Sequence, residues 1–328
     1  MLAHIVLIAL IIALIIILHQ KLATKPRLET LTQYNEFSMG NQISASAIPK
    51  TIWTFWDDCP SNMIMGFIKT WIDNNPDHRV IVLTRKNYTK YIKQLPENPM
   101  LNTPQRFSDL VRLSVLATHG GIWMDASTFC NTSLSWVHTI QASTGVEMIA
   151  YHMADFTTVD KYPVVESWFI ACKPESKLLQ EWTVELNRAL SYSSMFEYIK
   201  SIKDTGVNLQ AINNPEYLWI YAAFQKVVQS VSEDTYMYKT FDSLIGPYMY
   251  LKQNNWNSSK ALQALVEGTF HQPLIKLRGS ERNVLISDTT LTTQLFNAFG
   301  VTEYTVVKDS NLCQLKDSDQ AIILNVDV

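Results

Sequence analysis

Between Thr103 and Ser127 the chain reads Thr-Pro-Gln-Arg-Phe-Ser-Asp109-Leu-Val-Arg112-Leu-Ser-Val-Leu-Ala-Thr-His119-Gly-Gly-Ile-Trp-Met-Asp125-Ala-Ser. This stretch constrains the fold most. Thr103 is a capping residue, and Pro104 suits the first helical position, where a missing N–H leaves nothing unpaired. Gly120 and Gly121 end the helix and let the chain reverse. Residues 122–125 then read as a short strand ending in an acid. Open α/β sheets bind their ligands at the carboxyl ends of their strands, so Asp125 is placed where ligands are met.

The flanking sequence carries the same alternation. Residues 51–56 read as a first strand, rich in β-branched and aromatic residues, closed by the turn signal of residues 57–60. Residues 63–73 read as a helix stopped by Asn74-Asn-Pro76. Residues 79–84 are nearly all apolar and suit a strand buried on both faces. A short helix is expected over 87–94. Strand, helix, strand, helix predicts a parallel α/β sheet. Further strands are expected at 147–153 and 165–173, and helices at 174–190 and 215–231. Beyond about residue 240 the pattern gives no firm elements, and no second domain boundary shows. One domain over 48–328 is expected.

With 27 Lys and Arg against 30 Asp and Glu, the net charge of −3 lacks the basic excess of a nucleic-acid binder. Charged residues make up 17%, and the 10 Gly and 12 Pro are too few for a fibrous or low-complexity chain.

Residues 2–18 are apolar except for His4. That length is near the lower limit for crossing a bilayer. A cleaved signal peptide would want a basic start and small residues just after the apolar core. Neither is present, so a single-pass anchor is expected, followed by a polar stem over 19–47. Lys21, Lys25 and Arg27 after the span favour a cytoplasmic catalytic domain. The sequons at Asn87, Asn131 and Asn257 point the other way. The four cysteines, Cys59, Cys130, Cys172 and Cys313, form no metal-type spacing and suit buried thiols better than disulfides.

Asp109 and Arg112 lie three apart and share one helix face. The plainer reading is a surface ion pair, but the rest of that helix is apolar enough to be buried, which turns the pair toward a cleft. Asp125 suits a divalent cation, since ions of the Mg²⁺ type take one or two carboxylates plus phosphate oxygens. Alone, it also suits a turn residue, with Ser127 making a local hydrogen bond.

Three segments together carry a family resemblance: Ile48-Pro-Lys-Thr-Ile-Trp-Thr-Phe-Trp56, Ser108-Asp-x-x-Arg112 and His119-Gly-Gly-Ile-Trp-Met-Asp-Ala-Ser127. They resemble the capsular polysaccharide synthesis family, which belongs with the DXD-containing sugar transferases of glycosyltransferase family thirty-two. The resemblance runs in order from residue 48 to about 190. It implies a GT-A type, Rossmann-like domain that binds a nucleotide-sugar, behind the N-terminal transmembrane helix. It further implies donor contacts from Trp53, Trp56, Ser108 and Gly121, with Asp109 and Arg112 on the donor sugar and its phosphates. Apart from the resemblance, Lys276 is a candidate for a place against the donor diphosphate, although an ordinary strand-edge lysine needs no role. Asp125 would be the first acid of the metal motif for Mn²⁺ or Mg²⁺, with Ser127 where the motif has its second acid. Retaining chemistry is also implied.

Asp57, Asp58, Asp155 and Glu166 are candidates for an acid beside the acceptor. His152 and His271 are candidates for a further metal ligand. Tyr217, Trp219 and Tyr221 suit stacking on a sugar, although helical spacing favours core packing. The expected function is a membrane-anchored glycosyltransferase that moves a sugar from a nucleoside-diphosphate donor to a glycan or lipid-linked acceptor. The alternative is a non-catalytic carbohydrate-binding protein of the same descent. A hydrolase is disfavoured, because no carboxylate pair stands out as acid and nucleophile.

Overall fold

The computed structural model describes residues 36–39, 46–57, 60–232, 235–301 and 322–324, with the backbone alone at 36–39 and 322–324. The expected anchor at 2–18, most of the stem, Asp58, Cys59 and Cys313 lie outside the described residues. Among those described, no helix is long and apolar enough to cross a membrane.

The strands are β1 (Glu36–Met39), β2 (Thr51–Phe55), β3 (Arg79–Leu83), β4 (Gly121–Met124), β5 (Thr128–Cys130), β6 (Met148–His152), β7 (Val165–Cys172), β8 (Tyr238–Asp242), β9 (Leu274–Lys276) and β10 (Ile322–Leu324). The α-helices are α1 (Asn62–Asn74), α2 (Pro104–His119), α3 (Ser135–Thr144), α4 (Lys177–Arg188), α5 (Met195–Asp204), α6 (Trp219–Gln229), α7 (Met249–Gln253), α8 (Ser258–Val266), α9 (Gly279–Ser287) and α10 (Thr289–Ala298).

Among the described residues, eight strands form one sheet in the order β1-β8-β6-β7-β4-β2-β3-β10. The centre matches the parallel expectation, with β2 parallel to both β3 and β4. The sheet as a whole is mixed, because β7 lies antiparallel between β4 and β6. All eight residues of β7 are buried, and a strand buried on both faces shows no alternation that would reveal its direction. β1 adds an edge strand against β8, so part of the stretch read as a stem runs in the sheet.

The helices follow their caps and apolar stripes. In α1 the Ser61 hydroxyl accepts from the Ile64 N–H, and Ile64, Phe67, Ile68 and Trp71 make the buried face. In α2 Pro104 takes the first turn, and Gly120 ends the helix with φ 62°. The helix expected at 87–94 is a single 3-10 turn at Tyr88–Lys90. Asn87 turns its side chain back onto the preceding backbone, accepting from the Thr84 N–H and donating to the Val82 carbonyl, a local bonding pattern that competes with helix. Those bonds bury Asn87 at the heart of its sequon. The described cysteines, Cys130 and Cys172, are buried free thiols, as expected.

Gly121 opens β4 with φ 97°, and a Cβ there would stand 2.6 Å from the Thr51 carbonyl oxygen. A side chain at this position would push β4 off β2 and displace Asp125. Gly121→Ala is expected to destabilise the fold by about 2 kcal/mol or more. Equilibrium denaturant unfolding checks this, and a variant as stable as wild type removes the packing requirement.

Candidate active site

The strand directions gather acids on one edge of the sheet. β2, β3 and β4 run parallel, so Asp57, Arg85 and Asp125 follow their carboxyl ends. β7 runs the other way, which brings its first residues to the same edge. The Asp125 N–H donates to the Trp168 carbonyl at 2.9 Å, and Glu166 lies two residues before Trp168. β6 and β8 end there with His152 and Asp242.

Asp125 is the centre of a charged network. Its Oδ1 accepts from Arg112 Nη2 at 2.9 Å and from Trp123 Nε1 at 3.0 Å. Its Oδ2 accepts from Lys276 Nζ at 3.0 Å. Arg112 reaches it from α2 while also donating Nη1 to Asp109 Oδ1 at 2.9 Å. The other Asp109 oxygen accepts from Trp219 Nε1, on α6, at 2.8 Å. Lys276 arrives through the small antiparallel ladder of β5 and β9, where it stands opposite Thr128. Its Nζ also donates to Ser127 Oγ at 3.1 Å.

These contacts set the protonation states. Burial alone would raise the Asp125 carboxyl. The charges of Lys276 and Arg112, with the bonds from Trp123 and Lys276, outweigh burial and hold it at about 2. Asp109 goes the other way: burial lifts it to about 6, against the pull of Arg112 and the Trp219 bond. Glu166 is 1% exposed, and burial lifts it to about 7 against bonds from Trp168 Nε1 and Ser243 Oγ. Burial lowers the Lys276 ammonium from its ordinary value, with the Asp125 charge opposing.

The structure brings Asp109, Arg112, Asp125, Ser127 and Lys276 together as one site. It gives Trp53 and Gly121 a structural part instead. Trp53 is buried, and its indole N–H donates to the Gly120 carbonyl at 2.9 Å. Trp56 and Ser108 are half-buried, at the end of β2 and on α2. Asp109 has both oxygens engaged within the protein, one by Arg112 and the other by Trp219. Asp57 pairs with Arg85. Asp155 and His271 are exposed, and burial lowers His152 to about 4. Trp219 is buried under Asp109, Tyr217 is exposed, and Tyr221 feels the charges of Glu166, Arg112, Asp125 and Asp109.

The expected metal ligands are the two groups that Lys276 bridges. The Ser127 hydroxyl donates to the Leu277 carbonyl at 2.9 Å and accepts from both Lys276 Nζ and Arg282 Nη1, the latter at 3.0 Å. That exhausts a hydroxyl's one donor and two acceptor positions. Asp125 keeps one acceptor position, on Oδ2. Among the described residues, no group of three or more His, Cys, Asp and Glu is placed to hold a metal ion. With Ser127 Oγ filled and Lys276 Nζ bonded to both it and Asp125, the residues present do not fit a divalent cation there.

Arg282 escaped the sequence reading. Its signal is the concentration of Lys276, Arg278 and Arg282 within seven residues of a chain sparing in charge. Trp123 also escaped, as a strand residue whose indole N–H reaches the neighbouring carboxylate.

Residues 19–202 match the family described as capsular polysaccharide synthesis protein, and the chain belongs to that family. The match includes Asp109, Arg112, Asp125 and Ser127, while Lys276 and Arg282 lie beyond it. The O-glycosyltransferase braB of Annulohypoxylon truncatum is 27% identical over 187 residues, covering 50% of this chain and 40% of that relative. The match thus spans less than half of the relative's length. Among solved structures, the UDP-bound glycosyltransferase domain of the YGT toxin aligns over 74% of this chain and 89% of its own, at 10% identity and a TM-score of 0.36. The PaToxG glycosyltransferase aligns over 84% and 92%, at 12% identity and a TM-score of 0.32.

Asp109 and Glu166 are both raised, so the fold favours their neutral forms. The stability this contributes is complete below the ordinary carboxyl range and is lost as pH rises through about 6 and about 7. Glu166→Gln removes one of the two titrations. It is expected to stabilise the fold by on the order of 2 kcal/mol above about pH 8, with little change near pH 4. Melting curves of variant and wild type across pH test this. A difference that does not grow with pH removes the buried neutral carboxyl.

Proposed function

We propose that this chain is a GT-A type glycosyltransferase that moves a sugar from a nucleoside-diphosphate donor to a glycan or lipid-linked acceptor in polysaccharide or glycoconjugate synthesis. One observation carries the reading: a carboxylate held ionised at the carboxyl end of β4, with Arg112 and Lys276 on its two oxygens. Membership of the capsular polysaccharide synthesis family supports the same reaction class.

In this reading the cations at the sheet edge receive the donor's diphosphate. Fixed positive groups aimed at a leaving phosphate act where charge develops, with no reorganisation at the moment of reaction. Asp125 orients Lys276 and Arg112, and Asp109 holds Arg112 from behind. Trp219 fixes Asp109 in turn. Tyr221 and Glu166 border the charged cluster on the side of β7. Transfer with retention belongs to the proposal as the family resemblance implies it.

The test is a panel of nucleoside-diphosphate sugars, following release of the free nucleoside diphosphate. One donor is expected to be consumed. Asp125→Ala should lower that rate about a hundredfold or more with the fold kept. Arg112→Lys keeps the charge but loses the planar fork that spans two carboxylates, and should cost about tenfold. Wild type that consumes no donor while binding glycans would favour the carbohydrate-binding alternative.

The anchor at residues 2–18 belongs to the same proposal. Removing residues 1–28 should free the chain from membranes with transfer intact, because the described sheet begins at Glu36. A truncated chain that still pellets with membranes would remove the anchor.

A further inference from the structure

We propose that Lys276 and Arg282 take the place of a divalent cation in this site, so that the donor's diphosphate is bound without metal. The inference rests on the glycosyltransferase reading and concerns how that site holds its anion.

The first support is position. Asp125 and Ser127 are the side chains that a DXD-like motif would offer to a metal, and one ammonium already donates to both. Lys276 Nζ is 3.0 Å from Asp125 Oδ2 and 3.1 Å from Ser127 Oγ. The placement is built into the fold. β9 pairs with β5 in register, Thr128 opposite Lys276, and the Leu277 N–H donates to the Ser127 carbonyl at 3.0 Å. Tyr250 tightens it further by donating its hydroxyl to the Lys276 carbonyl at 2.9 Å.

The second support is the count of donors and acceptors. Ser127 Oγ has no acceptor position left, and Asp125 has one. Among the described residues, Lys276 uses two of its three N–H donors and Arg282 uses one of its five. The pair of Asp125 and Ser127 is therefore short of acceptors for a cation, and the side chains beside it are rich in donors for an anion.

The third support is charge. Arg112, Lys276 and Arg282 against Asp109 and Asp125 give 3 − 2 = +1. A site that recruits a divalent cation needs the opposite balance. An anionic diphosphate meets a net positive cluster around Asp125 and Ser127. Lysine and arginine are both suited to it, one as a point charge and the other as a fork.

The same groups serve the transfer step. The bond from the anomeric carbon to the β-phosphate oxygen breaks, and its electron pair stays on that oxygen. The acceptor hydroxyl oxygen bonds to the anomeric carbon, and its proton passes to the leaving phosphate. Lys276 and Arg282 stabilise the charge gathered on the diphosphate before that proton arrives.

Calorimetric titration of the full chain with UDP, GDP and dTDP, in EDTA and then in Mn²⁺, tests the proposal. At least one nucleotide is expected to bind with Kd agreeing within about threefold between the two conditions. In EDTA, Lys276→Met should weaken it about tenfold or more, and Arg282→Gln by about three- to tenfold. Binding that appears only with Mn²⁺ overturns the inference and leaves the glycosyltransferase reading standing. Unchanged affinity in both variants does the same. If Lys276→Met does not fold, Arg282→Gln and the EDTA comparison on the unaltered chain still decide. Binding of no nucleotide in either condition overturns this inference and the function together.

Discussion

Arg112 holds two carboxylates at once, and the geometry of the sheet edge depends on it. Through Nη1 it keeps Asp109 against α6, and through Nη2 it keeps Asp125 at the end of β4. The two acids respond in opposite ways. Asp125, about a quarter exposed and flanked by a second cation, stays ionised at about 2. Asp109, enclosed under Trp219, rises to about 6. Removing one member of a buried network of this kind leaves an uncompensated charge, which is far more costly than losing a surface pair. The pair of Asp109 and Arg112, expected at a cleft rather than as a surface ion pair, is a buried strut, with side chains 12% and 6% exposed.

Much of this edge was legible before any coordinates. The turn at Gly120-Gly121, the strand behind it and the acid at its end follow from local rules, because each is set by residues close in sequence. The family motif added Asp109 and Arg112. What sequence could not supply was the approach of residue 276 to residue 125. Pairing between β5 and β9 is a long-range choice between two short buried segments, and nothing near either one announces its partner. The direction of β7 was hidden for a related reason, since a strand buried on both faces packs equally well either way. Trp219 looked like a core or stacking residue. Its indole N–H on Asp109 shows that an aromatic side chain in a core can serve a charged group through its one polar atom.

The site also divides unevenly along the chain. The carboxylates and Arg112 lie within the segment that matches the family, residues 19–202. Lys276 and Arg282 lie beyond it, on β9 and α9. Among the described residues, the strand that carries Lys276 pairs with the family segment through the β5–β9 ladder.

That ladder has a consequence for assembly. Lys276 and Ser127 are 149 positions apart, and the entropy of closing so long a loop grows with the chain between its ends. Contacts of such high sequence separation delay folding, because the chain must be ordered before they reward it. A chain cut short before β9 would keep Asp109, Arg112 and Asp125 but lose both later cations. Its edge would carry 1 − 2 = −1 and repel a diphosphate that the finished edge, at +1, attracts. The sign of the site thus reports whether the segment from β9 onward has docked, so a chain lacking it would not attract the donor.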